Sequence, residues 1–260
     1  MKRRRFISNC ILIIAILVFL FSAYKLYGIY SEYNKGKKEY KDVMEEVITE
    51  TVEEDADESN DGKQEKVIFH VDFEKLLKIN SDAVAWIRFD KPEKISYPIV
   101  QGEDNSEYLK KTFEKKKNGA GTLFVDAYNK GDFSDRNTFV YGHNMKNGSM
   151  FGQLRKYKDA AFCKENPYFY IYTPDGKETI YQIFAVGIVE DTDKSYNKFF
   201  ADDEEYEEYL KHIKRVSRYD TEVEVTKDSR IVSLSTCTNV TETQRLLVHG
   251  VKISESMVGE

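Results

Sequence analysis

Ile231-Val232-Ser233-Leu234-Ser235-Thr236-Cys237-Thr238 decides how the rest of the chain is read. Apolar, β-branched and small residues run together without helical spacing, so the stretch reads as a strand. It ends on a cysteine flanked by hydroxyl residues. A second strand-like run, Arg245-Leu246-Leu247-Val248-His249-Gly250-Val251, begins eight positions after that cysteine. One strand delivering a thiol at its tip and a neighbour delivering a guanidinium make a nucleophile with an oxyanion partner. Cysteine is also among the most often buried residue types, so a core thiol is the competing reading.

Upstream the same strand character recurs. Val84–Phe89, Ile95–Gln101, Thr122–Asp126 and Asn137–Tyr141 read as strands, with Pro98 marking an edge or a bulge. Tyr168–Tyr172 and Glu178–Val186 flank Pro174-Asp175-Gly176 and predict a hairpin. Helices are predicted near Phe73–Leu77, capped by Asp72, and in a short turn opened by Asp104-Asn105. A longer one spans Asp202–Val216, where Tyr206, Tyr209, Leu210, Ile213 and Val216 make one apolar face. About eight strands with a few helical inserts fit a closed barrel or a sandwich.

The N-terminus places this domain. Lys2-Arg3-Arg4-Arg5 precede an apolar run from Phe6 to about Tyr24, long enough to cross a bilayer as a helix. The exit Phe21-Ser22-Ala23-Tyr24-Lys25 is a poor cleavage site, which favours an uncleaved anchor over a signal peptide. The basic cluster then stays cytoplasmic and the remainder faces outside. Tyr40, Val43, Met44 and Val47 at helical spacing predict a stalk helix from near Tyr30 to Thr49. Glu53–Gly62, nearly all acidic and small, reads as a solvated linker. The sharper alternative, a calcium loop, lacks the spaced ligand frame. The expected division is 1–5 cytoplasmic, 6–24 transmembrane, 25–65 helical stalk and acidic linker, and 66–260 outer domain.

Composition narrows the function. A net charge of −6 argues against a nucleic-acid binder. Three cysteines, one inside the apolar run, exclude a disulfide-stapled scaffold, although a single Cys163–Cys237 bridge stays open. No glycine-rich phosphate loop, CxxC or HxxxH pattern occurs, so no metal or organic cofactor is expected. Tyr141-Gly142-His143-Asn144-Met145 is a tight strand exit holding an imidazole; read alone, His143 is a turn histidine bonded locally. His249 shares strand parity with Arg245 and is the rival base, or else a strand histidine on the outer face. His70 and His212 sit in polar contexts.

Four ordered blocks carry a resemblance: Ile79–Ile87, Tyr97–Gly102, Tyr141–Met145, and Leu234–Cys237 followed by Arg245. Over roughly residues 70–255 the chain resembles the class B sortases, membrane-anchored cysteine transpeptidases of Gram-positive bacteria. Where the family pattern before the cysteine opens with Thr, this chain has Ser233, which keeps the hydroxyl. The resemblance implies a mainly β fold. Its core is an eight-stranded sortase-type β-barrel with an N-terminal helical element and an inserted helix before the cysteine strand, plus the transmembrane helix. It further implies Cys237 as nucleophile, His143 as general acid/base and Arg245 as holder of the substrate carbonyl. Asn105, Leu109, Tyr141, Ser233, Ser235 and Thr236 are the implied substrate contacts. The partners implied are secreted proteins bearing a C-terminal sorting signal, cleaved after Thr, and a peptidoglycan amine acceptor.

Two rivals come from other classes: a wall peptidase that releases the same acyl-enzyme to water, and a non-catalytic surface-binding domain with an inert Cys237. A papain-like protease fits poorly, because no C-G-x-C-W element surrounds Cys237 and His143 precedes it.

Overall fold

The computed structural model describes residues 2–54 and 65–258. Helix α1 (Lys2–Val47) is continuous. Its stretch from Phe6 to Tyr24 exposes large apolar side chains on every face, which suits a lipid rather than an aqueous surround. The expected stalk helix is the continuation of this same helix. Tyr40, Val43 and Val47 on one of its faces are buried in the core of the outer domain. Tyr40 Oη donates to the Gly121 carbonyl at 2.5 Å and lies 3.0 Å from Thr122 Oγ1.

Strand β1 (Ile48–Glu54) follows and pairs antiparallel with β2 (Glu65–Val71) in a separate two-stranded sheet. Of the run expected as a solvated linker, Glu53 and Glu54 therefore belong to a strand, and residues 55–62 lie outside the described residues. Helix α2 (Phe73–Ile79) starts on the expected cap, Asp72 Oδ1 accepting from the Lys75 N–H at 3.0 Å.

The next strands are β3 (Ala83–Arg88), β4 (Ser96–Val100), β5 (Leu123–Val125) and β6 (Asn137–Tyr141). A 3₁₀ helix (Phe151–Lys158) and α3 (Ala160–Glu165), neither anticipated, lead to β7 (Tyr168–Tyr172) and β8 (Lys177–Glu190). A short 3₁₀ turn (Lys194–Tyr196) and α4 (Asp203–Val216) precede β9 (Ile231–Cys237) and β10 (Gln244–Met257). Strands β3 to β10 close into an eight-stranded barrel in the order β10-β8-β7-β3-β4-β5-β6-β9. The pairs β4/β5 and β6/β9 are parallel and the rest antiparallel. Closure removes the open edges that eight strands would otherwise leave.

Strand parity divides the residues between two faces. Ile87, Ile99, Leu123, Val140, Val232, Leu234 and Val248 fill the interior with other apolar side chains. On the outside, α4 lays Tyr206, Tyr209, Leu210 and Ile213 over Phe184, Ile231 and Val251. Its start is a reciprocal cap: Asp202 Oδ1 accepts from the Glu205 N–H, and Glu205 Oε2 accepts from the Ala201 N–H. The segment between β8 and β9 thus covers one outer patch of the barrel and stops short of the Cys237 end.

Candidate active site

The hairpin register of β9 and β10 sets Cys237 directly opposite Arg245. On the other flank of β9, parallel β6 aligns Tyr141 with Ser235, and the Gly142 N–H extends the ladder to the Ser235 carbonyl at 3.1 Å. Continuing that pairing brings His143 to the level of Cys237. Asn144 Nδ2 pins the loop by donating to the Cys237 carbonyl at 2.7 Å, and Asn239 Nδ2 donates to the Asn144 carbonyl at 2.9 Å. Residues almost a hundred positions apart in sequence thereby meet at one strand end.

A cavity of about 200 Å³ is lined by Cys237, His143 and Arg245 together with Asn105, Leu109, Tyr141, Ser235 and Thr236. His143 Nε2 is 2.7 Å from the Leu109 carbonyl oxygen. A carbonyl only accepts, so Nε2 carries a proton in this arrangement. Arg245 Nη1 donates to the Glu242 and Gln244 carbonyls at 2.6 and 3.2 Å, and Nη2 to Asp191 Oδ2 at 3.2 Å. Among the described residues, three of its five N–H groups are thus engaged, and Nε–H and one Nη2–H are free. Cys237 is partly exposed, whereas Cys163 is buried in α3, where burial pushes its thiol pKa up. Both thiols are free, so the Cys163–Cys237 bridge left open by the sequence does not form.

Two expected positions are not where the sequence reading put them. Ser233 does not line the cavity. Its parity matches Cys237, but it is fully buried beneath Tyr209 of α4; Oγ donates to Asn137 Oδ1 at 2.7 Å and lies 2.8 Å from His249 Nδ1. Thr236 borders the cavity, but its parity turns the side chain inward, and Oγ1 is buried without a partner among the described residues. His249 is on the outer face as expected but wholly buried. Burial, with a smaller contribution from His212, lowers its pKa to about 3, so it stays neutral, and it does not line the cavity. Ser235 Oγ is 2.8 Å from Tyr196 Oη.

Sequence reasoning missed Asp126, Asp191 and Lys198. Asp126 follows β5 and is fully buried. Its Oδ2 accepts from Tyr141 Oη at 2.8 Å, Asn105 Nδ2 at 3.2 Å and Lys198 Nζ at 2.6 Å; its Oδ1 accepts from the Tyr128 N–H at 2.9 Å. Burial alone would raise this carboxyl, but Lys198 and the other donors hold it below the usual carboxylate range. The opposite effect falls on Tyr141, whose phenol is pushed far up by burial and by Asp126, and stays neutral.

A closed eight-stranded barrel thus brings a thiol, an imidazole and a guanidinium together at one strand end. Comparison with known proteins gives the family. The sortase domain profile matches residues 91–253. Sortase B of Listeria monocytogenes is 34% identical over 239 residues, covering 91% of this chain and 92% of that protein. Sortase B of Staphylococcus aureus is 28% identical, covering 97% and 98%. Among solved structures, sortase B from B. anthracis in complex with AAEK1 superposes with a TM-score of 0.70 at 30% identity, covering 87% of this chain and 100% of that one. Clostridium perfringens sortase B gives 0.66 at 34% identity, covering 70% and 100%. The chain belongs to the sortase family, in its class B branch. It is accordingly a cysteine transpeptidase of the cell-wall type, and α1 is a candidate membrane anchor.

Proposed function

We propose that this transpeptidase cleaves a C-terminal sorting signal after Thr in secreted proteins and joins them to a peptidoglycan amine. The observation that carries the reading is the meeting of Cys237, His143 and Arg245 in one cavity. The thiolate of Cys237 attacks the Thr carbonyl carbon, since thiolate rather than thiol is the nucleophile. The carbonyl oxygen becomes an oxyanion, which the two free Arg245 N–H groups stabilise. The C–N bond breaks, His143 delivers a proton to the departing amine, and a thioester remains. An acceptor amine then attacks the thioester, His143 takes up its proton, and Cys237 leaves as thiolate.

Asn105, Leu109, Tyr141 and Ser235 border the path of the peptide; Thr236 contributes backbone, and Ser233 acts only beneath the surface. Phe6–Tyr24 spans the membrane with Lys2–Arg5 in the cytoplasm and the barrel outside. The test is mass spectrometry of the full chain in detergent with sorting-signal peptides and a small amine. An adduct on Cys237 that transfers to the amine supports the proposal. Release only to water, across a panel of amines, makes the protein a peptidase. No adduct, with Cys237 inert to methanethiosulfonate reagents, makes it a binding domain.

A further inference from the structure

Asp126 takes no part in the reaction above, yet it touches two of the residues that border the cavity. A carboxylate has about four acceptor positions. Asp126 is fully buried and receives four donors, from Tyr141, Asn105, Lys198 and the Tyr128 N–H, so it meets no ligand itself and acts through its neighbours. Their chemistry is fixed as a result. Asn105 Oδ1 accepts from the Ala127 N–H at 2.8 Å, and one Nδ2 hydrogen goes to Asp126; what Asn105 has left to give is an N–H. Tyr141 commits its proton to Asp126, so its oxygen is left as an acceptor. An extended peptide backbone offers C=O and N–H groups in alternation, the complement of such a donor and acceptor pair. Lys198, from the connection that leads into α4, supplies the counter-charge at 2.6 Å and is itself mostly shielded from solvent.

We propose that Asp126 is a positioning residue that sets the hydrogen-bond polarity of the substrate groove, holding Asn105 as a donor and Tyr141 as an acceptor for the backbone of the bound peptide. This rests on the reading of the cavity as a sorting-signal groove. The change that probes it is Asp126→Asn. In one amide orientation the new N–H₂ faces Asn105 Nδ2 and Lys198, donor against donor; in the other it faces the Tyr128 N–H.

The experiment uses the full chain in detergent. Asp126→Asn is expected to lower kcat/KM for thioester formation about tenfold, chiefly through KM, the size of one charge-assisted hydrogen bond misplaced. Alkylation of Cys237 by iodoacetamide, which does not use the groove wall, should stay within about twofold, the usual limit of uncoupled sites. In an Asn105→Ala/Tyr141→Phe background the same substitution should cost less than about twofold, because the residues it acts through are gone. An undiminished tenfold loss in that background, or none in the parent, overturns the proposal. If the parent forms no thioester with any peptide, the reaction reading fails instead, and the Asn105 side-chain amide ¹⁵N signal of the free protein decides. Displacement of that signal by Asp126→Asn supports the fixed polarity, and an unmoved signal overturns it. Should Asp126→Asn not fold, Lys198→Met tests the same network from its rim, with a smaller loss in the parent and none in the double background.

Discussion

Replacing Arg245 by lysine keeps the positive charge and removes the fork, which separates two roles that a neutral substitution would confuse. The guanidinium holds the Glu242 and Gln244 carbonyls and Asp191 with three N–H groups, leaving two for a substrate oxyanion. A lysine ammonium has three hydrogens on one atom, and Asp191 together with the same carbonyls draws them away from the cavity. Losing one oxyanion donor typically costs about 2.7–4 kcal/mol, or roughly 10²–10³ in rate. The effect on folding should be far smaller. Arg245 and Asp191 form a partly exposed pair, with side chains 23% and 37% accessible. Such pairs contribute about 1 kcal/mol at most after solvent screening. Arg245→Lys should therefore slow single-turnover thioester formation by about 10²–10³, read by quenched-flow mass spectrometry, with the melting temperature nearly unchanged. A variant acylated within a few-fold of the parent rate would refute the oxyanion assignment. A large fall in melting temperature would show that Arg245 serves the hairpin rather than the chemistry.

Gly142→Ala should cost stability and acylation together. An added Cβ would sit 2.3 Å from Leu123 Cδ2 and 2.6 Å from Phe151 Cδ2, both fully buried, so overpacking of about 1–3 kcal/mol is expected, with His143 displaced. Urea unfolding together with the Cys237 acylation rate checks this, and a fully active variant would contradict the placement of His143. The buried His249 makes stability pH-dependent. Its folded pKa of about 3 lies below an unfolded value near 6.5, so between these the unfolded chain binds the extra proton. The contribution is complete above about pH 6.5 and is lost as pH falls toward 3, so His249→Gln should melt with a shallower acid dependence than the parent. Parallel melting curves would mean that His249 is not held neutral. Tyr40→Phe leaves the Gly121 carbonyl without its donor and should cost about 1–3 kcal/mol by chemical denaturation. A change too small to resolve would mean that α1 is not docked as described.

The barrel strands were legible because most of their pairing is announced by local alternation, from Val84–Phe89 to Arg245–Val251. Their ends were not. β8 runs on to Glu190 and β10 to Met257, since the two pair with each other well past the apolar stretches that mark them. The start of β1, Ile48-Thr49, reads as the end of a helix because Tyr40–Val47 has helical spacing and nothing before Ile48 breaks it, and its end, Glu53-Glu54, reads as linker; pairing with β2 decides the matter and lies outside a local window. Ser233 shows a different limit. Alternation correctly gives it the face of Cys237, and only the distant segment around Tyr209 determines that this part of the face is covered. Asp126 and Lys198 are seventy-two positions apart and have no pattern in common, so their ion pair could be found only once the barrel had brought them together.

The docking of α1 bears on where this protein can work. With no break between Phe6 and Val47, and with Tyr40 fastened beside the groove at Gly121, the span from Tyr24 to Tyr40 is a strut rather than a leash. At about 1.5 Å per residue it measures about 24 Å. Under the proposed topology the catalytic end rides at a nearly constant altitude above the lipid, so its hunting ground is a thin lamina parallel to the membrane. On the proposed function, a secreted protein at the membrane surface would pass through that lamina, whereas one farther out in the wall would seldom enter it. Selection by height would thus come before selection by sequence.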